Sequence, residues 1–281
     1  MPTRYNKLCI ILVGLFIIFV CVYNLYSRKQ SIERFNNSQR LIPKVIYQTW
    51  KTKDLPKEIE DIRKTYIDKN PDYELKLFDD DDMDNFIKLN FDNTIFSAYS
   101  KINIGAGKSD FWRYCILYVN GGVYLDIDST IEESLDNLIG ETDQCVISRE
   151  GGFGNQGKFL QWCLIFQKGH PILKELIDIC VDNINKKVST NLVTLTGPIP
   201  YTKAINNIMG KFYSKKVENL YYESDKKLNR ELNNPENEVR AKFHKHDYRP
   251  FMKFEMNNDL LKILRKGTVH WKNDKTPVIS D

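Results

Sequence analysis

SDFWRYCILYVNGGVYLDIDST, residues 109–130, changes its period halfway, and that change decides the fold. Phe111, Trp112, Cys115, Ile116 and Val119 recur at helical spacing, which predicts a helix over residues 108–119 with a broad apolar face. Gly121-Gly122 ends it, and Val123-Tyr124-Leu125 starts a buried strand that runs straight into Asp126-Ile127-Asp128. In an extended backbone residues i and i+2 point the same way, so the reading sets both carboxylates side by side at a strand end. Ligands of open α/β sheets sit at such ends. Paired carboxylates suit a hard divalent cation, Mn²⁺ or Mg²⁺, of the kind that bridges a diphosphate and stabilises its charge. Asp110 and Arg113 stand three residues apart on the preceding helix and share a face. They either brace the helix as an ion pair or serve a ligand at the strand end.

Outward from this centre, strands alternate with helices. Residues 42–47 read as a first strand with Pro43 at its edge, and residues 56–68 as a helix opened by Pro56. Residues 73–78 alternate as a strand, and the acids at 79–82 read as a solvated helix start, where negative charge is favourable. Residues 171–186 form a strongly apolar helix. The class is therefore α/β.

The 281 residues carry a net charge of only +4, mixed in sign, with 42% hydrophobic and 28% charged residues. That is globular composition, and it excludes a dedicated nucleic-acid binder, which concentrates basic residues. Residues 8–27 carry no charge; as a helix they reach roughly 30 Å, the thickness of a bilayer's hydrocarbon core. Tyr23, Asn24, Leu25 and Tyr26 stand where a signal peptide would place small residues, so the segment reads as an uncleaved anchor. The expected organisation is a cytoplasmic tail at 1–7, an anchor at 8–27, a stem at 28–40 and one catalytic domain at 41–281. Asn36-Asn37-Ser38 is a glycosylation acceptor, compatible with a type II arrangement and a lumenal domain in the Golgi or endoplasmic reticulum. Cys115, Cys145, Cys163 and Cys180 show no zinc spacing and read as buried thiols, with a disulfide open in a lumenal setting.

At this point the chain resembles a family. SDFWRYCILYVNGGVYLDID is similar to the central region of the DXD-motif sugar-binding glycosyltransferases, family 32. IPKVIYQTWKTKDLP resembles that family's opening strand and loop, KGHPILKEL and LTGPIPYTKAI its later segments, and Val269-His270-Trp271 its closing motif. The likeness runs over residues 41–271. It implies a GT-A fold around a mixed sheet and a metal-assisted, retaining transfer of a hexose, mannose or galactose. The donor would be a GDP- or UDP-linked sugar and the acceptor a glycan or glycolipid. By resemblance Asp128 holds the metal most directly, Asp126 lies nearer the ribose and sugar, and Asp110 and Arg113 hold the donor sugar's hydroxyls. Trp50 lines the nucleotide pocket; Gln48, Thr49, Ser109 and Tyr124 fall in the same donor-binding motifs. His270 is a candidate third metal ligand or diphosphate contact. Tyr47 departs from the family, which carries His before Gln-Thr-Trp.

Two other classes fit parts of the sequence. LDIDST matches the start of an aspartyl-phosphate phosphohydrolase, with Asp126 as nucleophile and Asp128 as acid/base. Its required later acid pair is represented only by Glu132-Glu133 in the following loop. A catalytically dead, membrane-tethered sugar-binding module is the third class. His244 and His246 lie in a basic, polar stretch and read as solvated, His170 as structural, and residues 151–155 as a flexible loop.

Overall fold

The computed structural model describes residues 40–151, 157–244, 246–254 and 274–280. The anchor and stem, Asn36 and His270 lie outside these residues, as does most of the glycine-rich loop at 151–155. Among the described residues no helix is long and apolar enough to cross a membrane.

The chain enters at β1 (Val45–Thr49) and continues through α1 (Lys57–Lys69), β2 (Glu74–Phe78), α2 (Asp80–Asn90), α3 (Asn93–Ser100) and α4 (Gly105–Asn120). Then come β3 (Gly122–Leu125), β4 (Ser129–Ile131), α5 (Leu135–Leu138), β5 (Cys145–Ser148) and β6 (Cys163–Phe166). α6 (Pro171–Asn185), α7 (Leu192–Leu195), α8 (Pro198–Met209), α9 (Asp225–Leu232), β7 (Lys242–His244) and β8 (Met252–Phe254) complete it.

Six strands form one sheet in the order β2-β1-β3-β6-β5-β7, and β4 pairs with β8 in a separate ladder. β1 runs parallel to β2 and β3; β6 is antiparallel to both β3 and β5; β5 is parallel to β7. The sheet is therefore mixed, as expected, and β1, β3, β5 and β7 all end on one edge. Tyr124 alternates to the face covered by α4 and α6, with Phe111, Trp112 and Leu176. Val123 and Leu125 face the other layer, with Tyr66, Leu135 and Tyr248.

Local chemistry sets the boundaries. β1 starts at Val45 rather than residue 42 because Pro43 has no N–H, and Val45 N bonds back to Pro43 O at 2.9 Å. The acids at 79–82 are a helix start, closed by a capping box between Asp79 and Asp82. Gly121 and Gly122 adopt φ of 70° and 112°. A Cβ on Gly121 would stand 2.6 Å from Lys168 N, so only glycine lets α4 turn this tightly into β3. Cys115, Cys145, Cys163 and Cys180 are buried free thiols.

Candidate active site

β3 stops at Leu125, one residue before the first acid. Asp126 N still bonds to Trp162 O at 2.8 Å, but Ser129 N then folds back to Asp126 O at 3.1 Å. The Asp-Ile-Asp triplet thus sits on a turn between β3 and β4, and the expected extended strand through Asp128 is corrected. The cause is tertiary: β4 leaves the main sheet to pair with β8, and α1 pins it there. The Tyr66 hydroxyl donates to Ser129 O, and Lys69 Nζ to Ile131 O at 2.7 Å.

The two carboxylates nevertheless share one environment. Burial raises the pKa of Asp126, with Arg113 and Tyr124 opposing. Burial, then the charge of Asp126, pushes Asp128 up to about 7. Asp126 Oδ1 accepts from the Tyr124 hydroxyl at 2.9 Å and lies 3.2 Å from Arg113 Nη2. Asp128 makes no side-chain hydrogen bond or ion pair to another described residue.

Arg113 is the hub. It is only 5% exposed. Its Nη2 also stands 3.2 Å from Asp110 Oδ1, its Nη1 donates to Gln161 O at 3.1 Å, and its Cζ lies 4.3 Å from the Tyr124 ring centre. Burial disfavours its charge, but Asp126, Tyr124 and Asp110 outweigh that and raise its pKa. Asp110, pushed up to about 6 by burial, accepts from Gln161 Nε2 and Thr196 Oγ1, each at 3.3 Å. Ser109 Oγ joins Thr49 Oγ1 at 2.9 Å and the Tyr124 hydroxyl at 3.2 Å.

The structure thus brings together Thr49, Ser109, Asp110, Arg113, Tyr124 and Asp126, with Asp128 beside them. Trp50 is half-buried and packs with Ile59 and Ile127, against the acidic turn itself. Gln48 departs from expectation: it is fully buried and accepts from Arg63 Nε at 2.9 Å. Tyr47 is buried on the α4 side, with Gly122 and Asn120 beside its ring and hydroxyl, toward the far end of β3. His170 caps α6, accepting from Ile172 N. Gln161, Thr196, Arg63 and Tyr66 were not anticipated. Gln161 had one signal, a polar residue inside the apolar run Phe159-Leu160-Gln161-Trp162.

Asp110, Asp126 and Asp128 face a single guanidinium, and Asp128 has only the neighbouring acid's repulsion to raise it further. This excess of buried negative charge is chemistry that a divalent cation satisfies. Among the described residues no group of three or more His, Cys, Asp or Glu forms a metal cluster.

Residues 56–145 match the family model described as the glycosyltransferase sugar-binding region containing a DXD motif. The chain is 33% identical over 145 residues to inositol phosphoceramide mannosyltransferase 3 of Schizosaccharomyces pombe, covering 52% of this chain and 39% of that protein. It is 28% identical over 208 residues to the initiation-specific alpha-1,6-mannosyltransferase of Candida albicans, covering 59% and 54%. It spans less than two thirds of either relative's length. Among solved structures, the PaToxG glycosyltransferase superposes with a TM-score of 0.51 at 21% identity, over 69% of this chain and 82% of that one. That likeness gives the fold alone, an α/β architecture with a mixed central sheet.

Proposed function

We propose that the chain is a glycosyltransferase of the kind that bears the DXD motif, whose sugar-binding region matches residues 56–145, and that it transfers a hexose from a nucleotide sugar with retention of configuration. Mannose is the first choice of sugar, because both relatives named above are mannosyltransferases. The observation that carries the reading is the Asp110–Arg113–Asp126 relay ending beside Asp128 on a sheet edge. We read the fold as GT-A, with a glycan or glycolipid acceptor and residues 8–27 as a type II anchor holding the domain in the lumen.

Asp126 and Asp128 would hold Mn²⁺ or Mg²⁺, which supplies charge stabilisation to the departing diphosphate. The chain's own work is orientation. Arg113 and Tyr124 favour the ionised form of Asp126 and fix its direction. Gln161 and Thr196 hold Asp110 so that its remaining acceptor capacity, with the Arg113 donors, would meet the donor sugar's hydroxyls. Trp50, packed on Ile127, offers a flat apolar surface to the base. A retaining front-side displacement needs such positioning and no separate nucleophile.

The test is a screen of GDP- and UDP-sugars for hydrolysis and transfer by the detergent-solubilised chain, with Mn²⁺, with excess chelator, and after metal add-back. Turnover of one donor that vanishes in chelator and returns with metal is expected. Full turnover in chelator removes the metal from the reading, and turnover of no donor removes the transferase.

A further inference from the structure

Arg63 sits half-buried on α1 with an unusual set of neighbours. Its Nε is fixed by Gln48 Oε1 at 2.9 Å, and Gln48 is itself fully buried. Among the described residues Arg63 makes no ion pair, and its two terminal nitrogens have no hydrogen-bond partner. Those nitrogens are not sealed from solvent. A guanidinium at this depth normally sits against a carboxylate, because desolvating its charge is costly. Burial indeed lowers the Arg63 pKa, with only partial compensation from Tyr66 and Glu60.

The position is tied to the site from two sides. Gln48 lies two residues before Trp50, on the strand that ends at the ligand edge. Tyr66, one helical turn beyond Arg63, donates to Ser129 O directly after Asp128. Ile59, on the preceding turn of α1, packs with Trp50 and Ile127. The side of α1 that approaches the acidic turn therefore carries an apolar contact, an open cationic fork and a hydroxyl clamp in succession.

We propose that Arg63 is a donor-binding residue: its two terminal nitrogens, locked in direction by Gln48, take oxygen acceptors of the nucleoside diphosphate. The inference rests on the nucleotide-sugar reading above. A planar fork matches two oxygens at once, which a lysine's point charge does not. Phosphate oxygens and a base carbonyl both offer that chemistry. The buried Gln48 is then a positioning residue, reaching the donor only through Arg63.

The experiment is calorimetric titration of the full chain in detergent with GDP and UDP, Mn²⁺ present, for the wild type, Arg63→Gln, Arg63→Lys and Asp128→Asn. Arg63→Gln should weaken the preferred nucleotide about tenfold to a hundredfold, the range of charge-assisted hydrogen bonds. Its melting temperature should fall by no more than a few degrees, because the loss of the donor to the buried Gln48 Oε1 is partly offset by removing a half-buried charge. Asp128→Asn should still bind nucleotide more tightly than the double variant with Arg63→Gln. Parallel titrations with inorganic pyrophosphate and with the free nucleosides assign the fork: loss on pyrophosphate means phosphate, loss on the nucleoside means base. Full rescue by Arg63→Lys overturns the two-oxygen grip. If the wild type binds GDP or UDP and Arg63→Gln matches it within twofold, this proposal falls alone. If the wild type binds neither, the donor reading falls and takes this one with it.

Discussion

Arg113 and Asp126 are 3.2 Å apart, and the nitrogen that reaches Asp126 is the one that reaches Asp110. The ion-pair brace therefore terminates on the proposed metal ligand. Arg113→Met should destabilise the fold by about 3–5 kcal/mol, the cost of stranding buried charge. Adding Asp110→Asn should recover only part of that, since Asp126 remains unpaired, and should recover no turnover. Thermal melts alongside donor hydrolysis decide it; a double variant with wild-type activity would make the pair purely structural.

Asp128→Asn should abolish transfer and leave the fold intact. Its carboxyl titrates near 7 in the folded chain, well above the usual carboxylate range, through burial and then the charge of Asp126. A raised acid is held neutral by the fold at low pH, and that advantage is lost as pH rises through the folded value. In chelator the asparagine variant should therefore melt at or above the wild-type temperature at pH 8, and the two should converge toward pH 4. Melting well below wild type at pH 8 would show the carboxylate to be a structural group.

Tyr66→Phe should act on the metal more than on the sugar. The phenol bonds to the carbonyl of Ser129, which immediately follows the acidic turn. Removing it leaves a buried carbonyl unsatisfied, a cost of about 1–3 kcal/mol. The Mn²⁺ concentration for half-maximal activity should rise several-fold while donor KM changes less. An equal rise in both would mean that the whole pocket, and not the turn alone, has loosened.

His170 should set part of the acid sensitivity. Burial pushes its pKa down to about 4, with the Arg240 carbonyl opposing, and its ring nitrogen must stay unprotonated to cap α6. The unfolded chain takes up the proton first, near pH 6.5, so stability is lost as pH falls from there toward 4. This group alone should cost about 2 kcal/mol between pH 7.5 and 5. His170→Asn keeps a capping acceptor, and its stability should fall less over that interval; an identical slope would assign the loss to other groups.

Much of this was legible in the chain. The helix, Gly-Gly and strand around Asp126 are written locally, in apolar spacing and in two glycines that alone fit their backbone angles. The same holds for α6, opened by His170-Pro171, and for the acidic capping box of α2. What was not legible depends on partners distant in sequence. Asp128 left the strand because β4 pairs with a segment roughly 120 residues further on, a long-range pairing that local periodicity does not report. Asp110 is satisfied by Gln161 and Thr196, from two different loops. Gln48 lies in a stretch that resembles a donor-binding motif yet is turned inward, because α1 presents Arg63 to it.

The parallel pairing of β1 with β3 joins Tyr47 to Tyr124, roughly 75 residues apart, a closure of high contact order that small chains make slowly. Thr49 and Trp50 therefore cannot meet Asp126 until everything through Leu125 has been synthesised and docked. A nascent chain halted before Gly121 holds β1 with one neighbour at most, exposes its other edge, and lacks Tyr124, Asp126 and Asp128. Formation of the proposed site therefore waits on the β1–β3 closure, and activity recovered during refolding should not precede it.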